Sequence, residues 1–270
     1  TPRIHLRYEL TPKMTLRASA GKGYRTVHVM AENLYFLASS RTIEIEDDLD
    51  IEEAWNAGIN LTGYVPLGDR ELRLTGELYR TGFLKQIVTD LDTDIDRVLF
   101  YNLDGRSYSN VIQLEAQVQP VTGLDITAAW RWNDVRQTIG GQLREKPLSS
   151  RYKGLLTASY TTRMRKWQFD WTLQYNGPGR IPSTMANPEP YRRNDYFSAY
   201  PVMNAQVTKY FRKWSIYIGG ENITGLRQHD AIIAAENPFG DYFDATMIWG
   251  PVHGRKLYAG FRFALDRPQN

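Results

Sequence analysis

Two segments of the chain combine aromatic rings with charged and amide groups, which is chemistry suited to holding an organic ligand. They span residues 187–197 and 237–243. Rings can stack on a ligand while neighbouring guanidinium and hydroxyl groups hydrogen-bond to it. The same composition is also typical of long loops that Tyr and Pro stiffen, so both interpretations stay open. The candidate ligand-binding residues are Tyr191, Arg192, Arg193, Tyr196, Phe197, Phe239 and Tyr242.

Histidines and acidic runs are the side chains that could hold a metal ion. The four histidines, His5, His28, His229 and His253, show no paired ligand spacing, so we expect ordinary polar roles for them rather than metal or haem ligation. Two acidic runs lack the spacing and central glycine of a calcium-binding EF-hand loop. They comprise Glu44, Glu46, Asp47, Asp48, Asp50, Glu52 and Glu53, and Asp90, Asp92, Asp94 and Asp96. We expect solvated loops or strand starts there, and no metal site.

No set of residues indicates catalysis. The chain has no cysteine, which excludes disulfides, thiolate metal sites and a cysteine nucleophile. No Ser/His/Asp grouping, glycine-rich phosphate loop or catalytic carboxylate pair stands out, so we expect neither an enzyme nor a bound cofactor. The formal net charge of +3 over 270 residues is too small to indicate nucleic-acid binding.

The elements that must position these residues are amphipathic strands. In the segment 167–176, Trp, Phe, Trp, Leu and Tyr alternate with Gln, Asp, Thr, Gln and Asn, which is the two-residue period of a strand and not the period of a helix. The same pattern predicts about eleven strands. They span 2–10, 13–22, 54–64, 70–80, 107–118, 124–135, 152–161, 166–176, 202–211, 214–222 and 255–264.

Short and long connections alternate between these strands. The short turns lie near Pro12, Gly68, Gly123, Arg163 and Arg212, and the long connections span 23–53, 81–106, 136–151, 177–201 and 223–254. Loops longer than roughly 12–15 residues are uncommon in compact soluble domains. Tight turns at one membrane face and long loops at the other are typical of a transmembrane β-barrel.

Large apolar side chains on one face of the strands also favour a barrel over a soluble β-sandwich. Rings near the strand ends predict aromatic belts at the two membrane surfaces. They are Trp55, Tyr64, Trp132, Tyr152, Tyr160, Trp167 and Tyr175. On the opposite face we expect inward-pointing charges that pair across the interior. They include Arg7, Arg17, Arg73, Glu77, Glu115 and Arg131.

Several short motifs carry a family resemblance. They are AGKGYR at 20–25 with AEN at 31–33 and LASSR at 37–41, FYNLDG at 100–105 before the strand from Ser107, GGENIT at 219–224, and WGP at 249–251 before GRKLYAGFRF at 254–263. With them the chain resembles the C-terminal barrel half of a TonB-dependent outer-membrane receptor of the Bacteroidetes type. The resemblance covers nearly the whole chain, so 1–270 is interpreted as one part of a transmembrane barrel.

The last strand is similar to the family's terminal assembly signal. Leu257, Phe261 and Phe263 form an apolar stripe that ends in an aromatic residue, and seven residues follow Phe263. By this resemblance, Leu257, Phe261 and Phe263 are read by the outer-membrane assembly machinery.

The resemblance implies active import of a scarce nutrient of the siderophore, corrinoid, haem or glycan class across the outer membrane of a Gram-negative cell. A receptor of this family has a 22-stranded barrel closed by an N-terminal plug, and the TonB complex pulls on the plug. No plug or TonB box is visible here, and the chain opens at Thr1 without an initiator Met or signal peptide. We therefore expect a processed chain or a piece of a longer one.

The expected partners are membrane lipid, the missing N-terminal barrel half with its plug, the TonB complex acting through the plug, and a surface lipoprotein. Two alternatives stay open. One is a passive porin-like or structural barrel within a surface assembly. The other is a soluble all-β domain that binds or hydrolyses carbohydrate.

Overall fold

The computed structural model describes residues 1–265, and its regular secondary structure is almost entirely β-strand, most of it antiparallel. A sheet of twelve strands dominates it, beside a three-stranded and a two-stranded sheet. No helix within residues 1–265 has the length and apolar character needed to span a membrane.

Seventeen strands follow one another along the chain. They are β1 (Arg3–Thr11), β2 (Met14–Arg25), β3 (Thr42–Ile45), β4 (Glu52–Leu67), β5 (Arg70–Lys85), β6 (Ile87–Asp90), β7 (Arg97–Asn102), β8 (Ser107–Val121), β9 (Leu124–Ile139), β10 (Gln142–Glu145), β11 (Tyr152–Thr161), β12 (Trp167–Asn176), β13 (Gly179–Arg180), β14 (Tyr196–Phe197), β15 (Tyr200–Tyr210), β16 (Trp214–Glu221) and β17 (Lys256–Phe263). The helical segments are α1 (Val29–Glu32) and the 3₁₀ turns Leu34–Ala38, Arg163–Arg165 and Glu189–Tyr191.

Eleven of these strands form one continuous antiparallel path in the order β1-β2-β4-β5-β8-β9-β11-β12-β15-β16-β17, with β10 added beside β9. Each overlaps one of the eleven strands that the two-residue period predicts. The prediction of an all-β, antiparallel fold is therefore confirmed. Within residues 1–265, β1 pairs only with β2, and β17 pairs only with β16.

The register keeps the apolar side chains on one face from strand to strand. Leu61 lies opposite Gly76, Gly76 opposite Leu114, and Leu114 opposite Trp130. Within residues 1–265 nothing covers this face, so Leu114 is 58% exposed and Ile218 is 63% exposed. A soluble protein rarely exposes an apolar surface of this extent. We call it the lipid face, because bilayer hydrocarbon is the environment in which it is stable.

The opposite face, called here the interior face, is polar. In one row, Arg7, Arg17, Asn60, Glu77, Gln113 and Arg131 lie opposite one another on successive strands. Arg73 and Glu115 lie on the same face, so all six predicted inward charges do. The sequence-based prediction that Tyr64 belongs to an aromatic belt on the apolar face is wrong. Tyr64 lies an odd number of positions from Trp55 on β4 and directly opposite Arg73, which places it on the interior face.

The alternation of short and long connections is also observed. Gly68 and Gly123 supply the positive φ angles of +62° and +87° in two of the tight turns. The long connections are loop 1 (26–51), loop 2 (86–106), loop 3 (140–151), loop 4 (177–199) and loop 5 (222–255). All five lie at the opposite end of the sheet from the tight turns.

The long loops are folded units, although the strand pattern alone predicts irregular connections. Loops 1 and 2 together build the sheet β3-β7-β6, and loop 4 builds β13-β14. Two apolar clusters stabilise them. Phe36, Val98 and Phe100 are at the centre of the first, and Ile181, Phe197 and Ile233 are at the centre of the second.

A candidate ligand cavity at the barrel mouth

A cavity of about 480 Å³ lies where the loop end of the interior face meets loops 1, 2 and 3. We call it the mouth cavity. Its volume lies in the range typical of small-molecule sites, ~300–1,000 Å³. The strands contribute Arg25, Glu52, Phe83, Ile87, Thr89, Phe100 and Gln137, and the loops contribute Val27, Glu32, Asn33, Tyr35, Phe36, Gln86, Leu91, Lys146, Pro147 and Leu148.

Charges in the mouth cavity are largely compensated by each other. The Arg25 guanidinium pairs with Glu32, and it lies 3.8 Å from the Glu52 carboxylate. Glu52 also accepts a hydrogen bond of 3.3 Å from the backbone N–H of Ile87. Among residues 1–265, no carboxylate lies within 4.0 Å of the Lys146 ammonium group. Lys146 is therefore the cation of this cavity that is available to a ligand.

Neutral hydrogen-bonding groups and rings complete the lining. The Gln137 side-chain amide donates to Gln86 Oε1 at 3.1 Å, which leaves other amide donors and acceptors of the pair available. Tyr35 lies with its ring centroid 4.2 Å from that of Phe36. Burial raises the pKa of the Tyr35 hydroxyl, which donates to Asn33 Oδ1 at 3.4 Å. The lining can therefore stack on a ring or sugar face and hydrogen-bond to polar substituents.

Loop 2, above the cavity, is folded around the carboxylate of Asp90. This side chain is buried and accepts bonds from the Thr93 hydroxyl at 2.5 Å and the Tyr101 hydroxyl at 3.0 Å. It also accepts from the backbone N–H groups of Asp92 and Thr93. Burial, together with the nearby Asp90 charge, raises the pKa of Tyr101 to about 12. The acidic run at 90–96 is thus a set of turn and loop contacts.

A buried ion pair joins loop 2 to loop 4. Arg180 donates to both oxygens of Asp92, at 2.7 and 2.8 Å, and its Nε donates to the carbonyl of Glu145 in β10 at 2.7 Å. Burial opposes ionisation of Asp92, but the bonds from Arg180 and from the Ser183 N–H outweigh it and lower the pKa of this carboxyl below 3.8. The pair is therefore fully formed at neutral pH and is lost only as the pH falls through that lowered value.

A second buried ion pair joins loop 1 to loop 5. Arg41 Nε donates to Asp244 at 3.0 Å, and both side chains are almost fully buried. The same guanidinium donates to the carbonyls of Leu91 and Asp94 in loop 2. Backbone bonds from Ser40 to Phe243 and from Ala245 to Ala38 reinforce the contact. Through the two pairs, all five loops are connected.

The seven ligand-binding residues proposed from the sequence lie in loops 4 and 5 and the short strand β14, and none lines the mouth cavity. Tyr191 donates to Glu236 at 2.8 Å, which raises the pKa of the phenol, and its ring lies 5.5 Å from that of Tyr242. Phe239 is fully exposed, whereas Phe197 is 3% exposed and stacks on Trp249, which leaves it little surface for a ligand.

The remaining candidates have partners within the loops. Arg192 donates to the carbonyl of Asn187, and Arg193 donates to the carbonyl of Arg192. The Tyr196 ring packs under the Arg151 guanidinium at 4.8 Å. In the described part of the chain, no three His, Asp or Glu side chains converge in a way that could hold a metal ion.

The mouth-cavity residues themselves are absent from the sequence-based candidates. By the alternation of their strands, Arg25, Phe83 and Gln137 point to the interior face, and they lie at the ends nearest the long loops. The strand pattern together with the loop lengths could therefore have predicted them as lining residues. No comparable sequence pattern marks Gln86 and Lys146, because they reach the cavity only through the folded conformations of loops 2 and 3.

Comparison with known proteins bears on the identity of the fold. The TonB dependent receptor-like β-barrel family model matches residues 1–223. No curated protein sequence matches the chain.

Solved receptors share the fold at low sequence identity. A ferric enterobactin receptor of Pseudomonas aeruginosa in complex with enterobactin is 15% identical, with a TM-score of 0.64 over 96% of this chain and 40% of that one. The ferric-catecholate import receptor Fiu of Escherichia coli K12 is 14% identical, with a TM-score of 0.63 over 96% and 34%. The FrpB iron transporter of Neisseria meningitidis is 12% identical, with a TM-score of 0.63 over 97% and 38%.

The chain spans about two fifths of the length of these solved receptors or less. Its eleven-strand path, its lipid face and the family match over most of its length agree with one another. The chain belongs to the TonB-dependent receptor-like β-barrel family.

Proposed function

We propose that the protein takes part in TonB-dependent import of a scarce nutrient across the outer membrane of a Gram-negative cell. In this proposal the whole chain, 1–270, is the C-terminal part of the barrel wall. An N-terminal barrel half with its plug completes the receptor, and the TonB complex acts through that plug. Family membership supports this general function, and the importers among the solved relatives agree with it.

The mouth cavity is the observation that carries the proposal. It lies on the interior face, at the end where the long loops meet, and combines rings with amide groups and one available cation. A cargo arriving from outside would meet these groups before it meets the rest of the interior. We place the first cargo contacts at Tyr35, Gln86, Gln137 and Lys146.

The aromatic residues of loops 4 and 5 supply a second, outer set of contacts in this proposal. Tyr191 and Tyr242 lie side by side with the Glu236 carboxylate, and Phe239 projects fully into solvent. Rings next to a carboxylate suit a hydroxyl-rich or cationic ligand surface. The cargo class stays siderophore, corrinoid, haem or glycan.

The last strand has a separate proposed role in assembly. Leu257, Phe261 and Phe263 are exposed on the lipid face of β17, the edge strand. We propose that outer-membrane assembly factors and membrane lipid contact this stripe, and that a surface lipoprotein is a further partner of the loops.

Uptake by cells carrying the full-length receptor tests the import proposal. Ferric siderophores, cyanocobalamin, haemin and maltooligosaccharides are supplied one at a time, with and without a functional TonB. We expect one class to be taken up only when TonB is present. The Gln86→Ala/Gln137→Ala variant should reduce that uptake, whereas Gln113→Ala, on the interior face far from the mouth, should not.

Two results would contradict this proposal. Uptake that persists without TonB would favour the passive, porin-like alternative. A receptor that is soluble without detergent would argue against a membrane barrel altogether.

A further inference from the structure

Two neighbouring tight turns carry a concentration of cations that the import proposal does not use. The turn between β11 and β12 contains Arg163, Arg165 and Lys166, and the turn between β15 and β16 contains Arg212 and Lys213. The turns adjoin, because β12 pairs with β15 and the Tyr210 N–H donates to the Lys166 carbonyl at 2.9 Å. We call these five residues together with Lys209 the turn cation cluster.

Within the part of the chain that the structure describes, these cations are not neutralised by ion pairs. Across residues 1–265, no carboxylate lies within ion-pairing distance of any of the six. The five in the turns are exposed. At another tight turn, by contrast, the Lys13 ammonium group is paired with Glu71 at 3.3 Å. The cluster therefore presents a concentrated positive charge to an external partner.

Lys209 places this charge at the membrane surface. It lies opposite Trp167 on β12 and opposite Ile216 on β16, which is a row of the lipid face. Its ammonium nitrogen is 4.7 Å from the Trp167 ring centroid and 5.3 Å from that of Phe211. A lysine on a lipid-facing row extends its charge toward the headgroups while its stem contacts apolar groups.

An aromatic band fixes the depth of the cluster. Phe211 stacks on Trp214 with ring centroids 3.7 Å apart, and Trp214 lies 5.7 Å from Phe261 on the next strand. Tryptophan and tyrosine concentrate where hydrocarbon gives way to headgroups. Above this band the lipid face continues with Ile216 and Ile218, so acyl chains can lie directly beside the cations.

We propose that the turn cation cluster is a binding site for the phosphate headgroup of an anionic phospholipid in the membrane leaflet that faces the tight turns. Its acyl chains would lie along β15 and β16. The inference rests on the proposed outer-membrane placement. A soluble anion would need only the exposed turns, whereas the lipid-facing Lys209 and the adjoining aromatic band favour a ligand with an apolar part.

The test uses the purified full-length receptor and native mass spectrometry with added dioleoyl phosphatidylglycerol or dioleoyl phosphatidylcholine. Phosphatidylglycerol should be retained in preference, and high salt should weaken the preference. The Arg163→Gln/Arg165→Gln/Arg212→Gln/Lys213→Gln variant should lose it. Lys209→Gln alone should weaken retention about fivefold, which corresponds to the ~1 kcal/mol of one basic residue near an anionic surface.

The matched control removes four exposed cations at the loop end, Arg106, Arg227, Arg255 and Lys256, by substitution with Gln. It should keep the preference for phosphatidylglycerol. An unchanged preference in the turn variant, or an equal loss in the control, would overturn the proposal. Displacement of the lipid by soluble glycerol phosphate at similar concentrations would show a free-anion site instead. Heat-modifiable migration on a gel shows whether each variant still folds as a barrel, so that lost lipid binding can be distinguished from misfolding.

Discussion

Two arginines, Arg41 and Arg180, hold the loop assembly together at the residue scale. Each is buried, and each binds one carboxylate and at least one backbone carbonyl from another loop or strand. A buried pair returns little net stability, because both charges lose hydration, but removing one partner leaves an uncompensated charge. These pairs therefore determine how the loops dock and contribute little to how strongly the whole chain folds.

Replacing Arg180 with Gln should undock loops 2 and 4. The Asp92 carboxylate, 1% exposed, would be left buried without its cation, at a cost of about 3–5 kcal/mol to the docked state. Limited proteolysis of the folded receptor should then cut faster within 86–106 and 177–199. Arg97→Gln is the matched control, since its pair with Glu44 is about half exposed and contributes roughly 1 kcal/mol or less. Equal protection of the two variants would contradict this role.

Ionisation of Tyr101 should destabilise the folded loop 2 at alkaline pH. The Tyr101 hydroxyl has a folded pKa of about 12, which lies above the ordinary value of 10.0, so its contribution is complete below pH 10 and is lost as the pH rises to about 12. Proteolytic protection of loop 2 should fall within that interval. In Tyr101→Phe the protection should be lower at neutral pH, because Asp90 loses a hydrogen bond, and its alkaline decline should be absent. A decline of unchanged size in the variant would assign the effect to another group.

The sequence could not indicate these residue contacts, because each joins distant parts of the chain. Asp92 and Arg180 are 88 positions apart, and Arg41 and Asp244 are 203 positions apart. Asp92, in the acidic run at 90–96, was expected to be solvated for the same reason, since the arginine that pairs with it comes from loop 4. Phe197 shows the converse case. An exposed-looking aromatic in a polar segment is buried because loop 5 brings Trp249 against it.

At the scale of elements, the strands of the main sheet were predictable from the sequence. Alternation is a local property, and the tight turns fix the register of each hairpin, so all eleven strands and both faces could be read from it. The strands within the long connections were missed, including β10, which forms a short hairpin with β9, and β3, which pairs non-locally. β3 pairs in parallel with β7, for example Thr42 with Arg97, and no local pattern marks that partnership.

Leu114 and its neighbour Gln113 test the assignment of the two faces. Leu114→Arg should place a charge in hydrocarbon and cost about 2–4 kcal/mol near the membrane midplane. Gln113→Arg changes the adjacent residue of the same strand but points into the polar interior, so its effect should be small. Folding yield into phosphatidylcholine vesicles, followed by heat-modifiable migration, measures both. Similar losses in the two variants would show that the faces are assigned wrongly.

At the scale of the whole molecule, the mouth cavity and the loop contacts belong to one arrangement. Loops 1, 2 and 3 bound the cavity, Arg41 fixes loops 1 and 2 to loop 5, and Arg180 fixes loops 2 and 3 to loop 4. Loop 1 cannot move away from the cavity while its contact with loop 5 persists. In the proposed importer, we therefore expect admission of cargo to require the first and last loops of the chain to part.

A reversible cross-link between loops 1 and 5 tests this requirement. Ala38 and Ala245 lie opposite each other beside the Ser39–Asp244 bridge, and residues 1–270 contain no cysteine that would compete with an introduced pair. Joining Ala38→Cys to Ala245→Cys with a short reducible thiol cross-linker should abolish uptake by the full-length receptor, and reduction should restore it. The two single-cysteine variants, treated in the same way, should keep full uptake. Undiminished uptake by the cross-linked receptor would show that cargo enters with these loops closed.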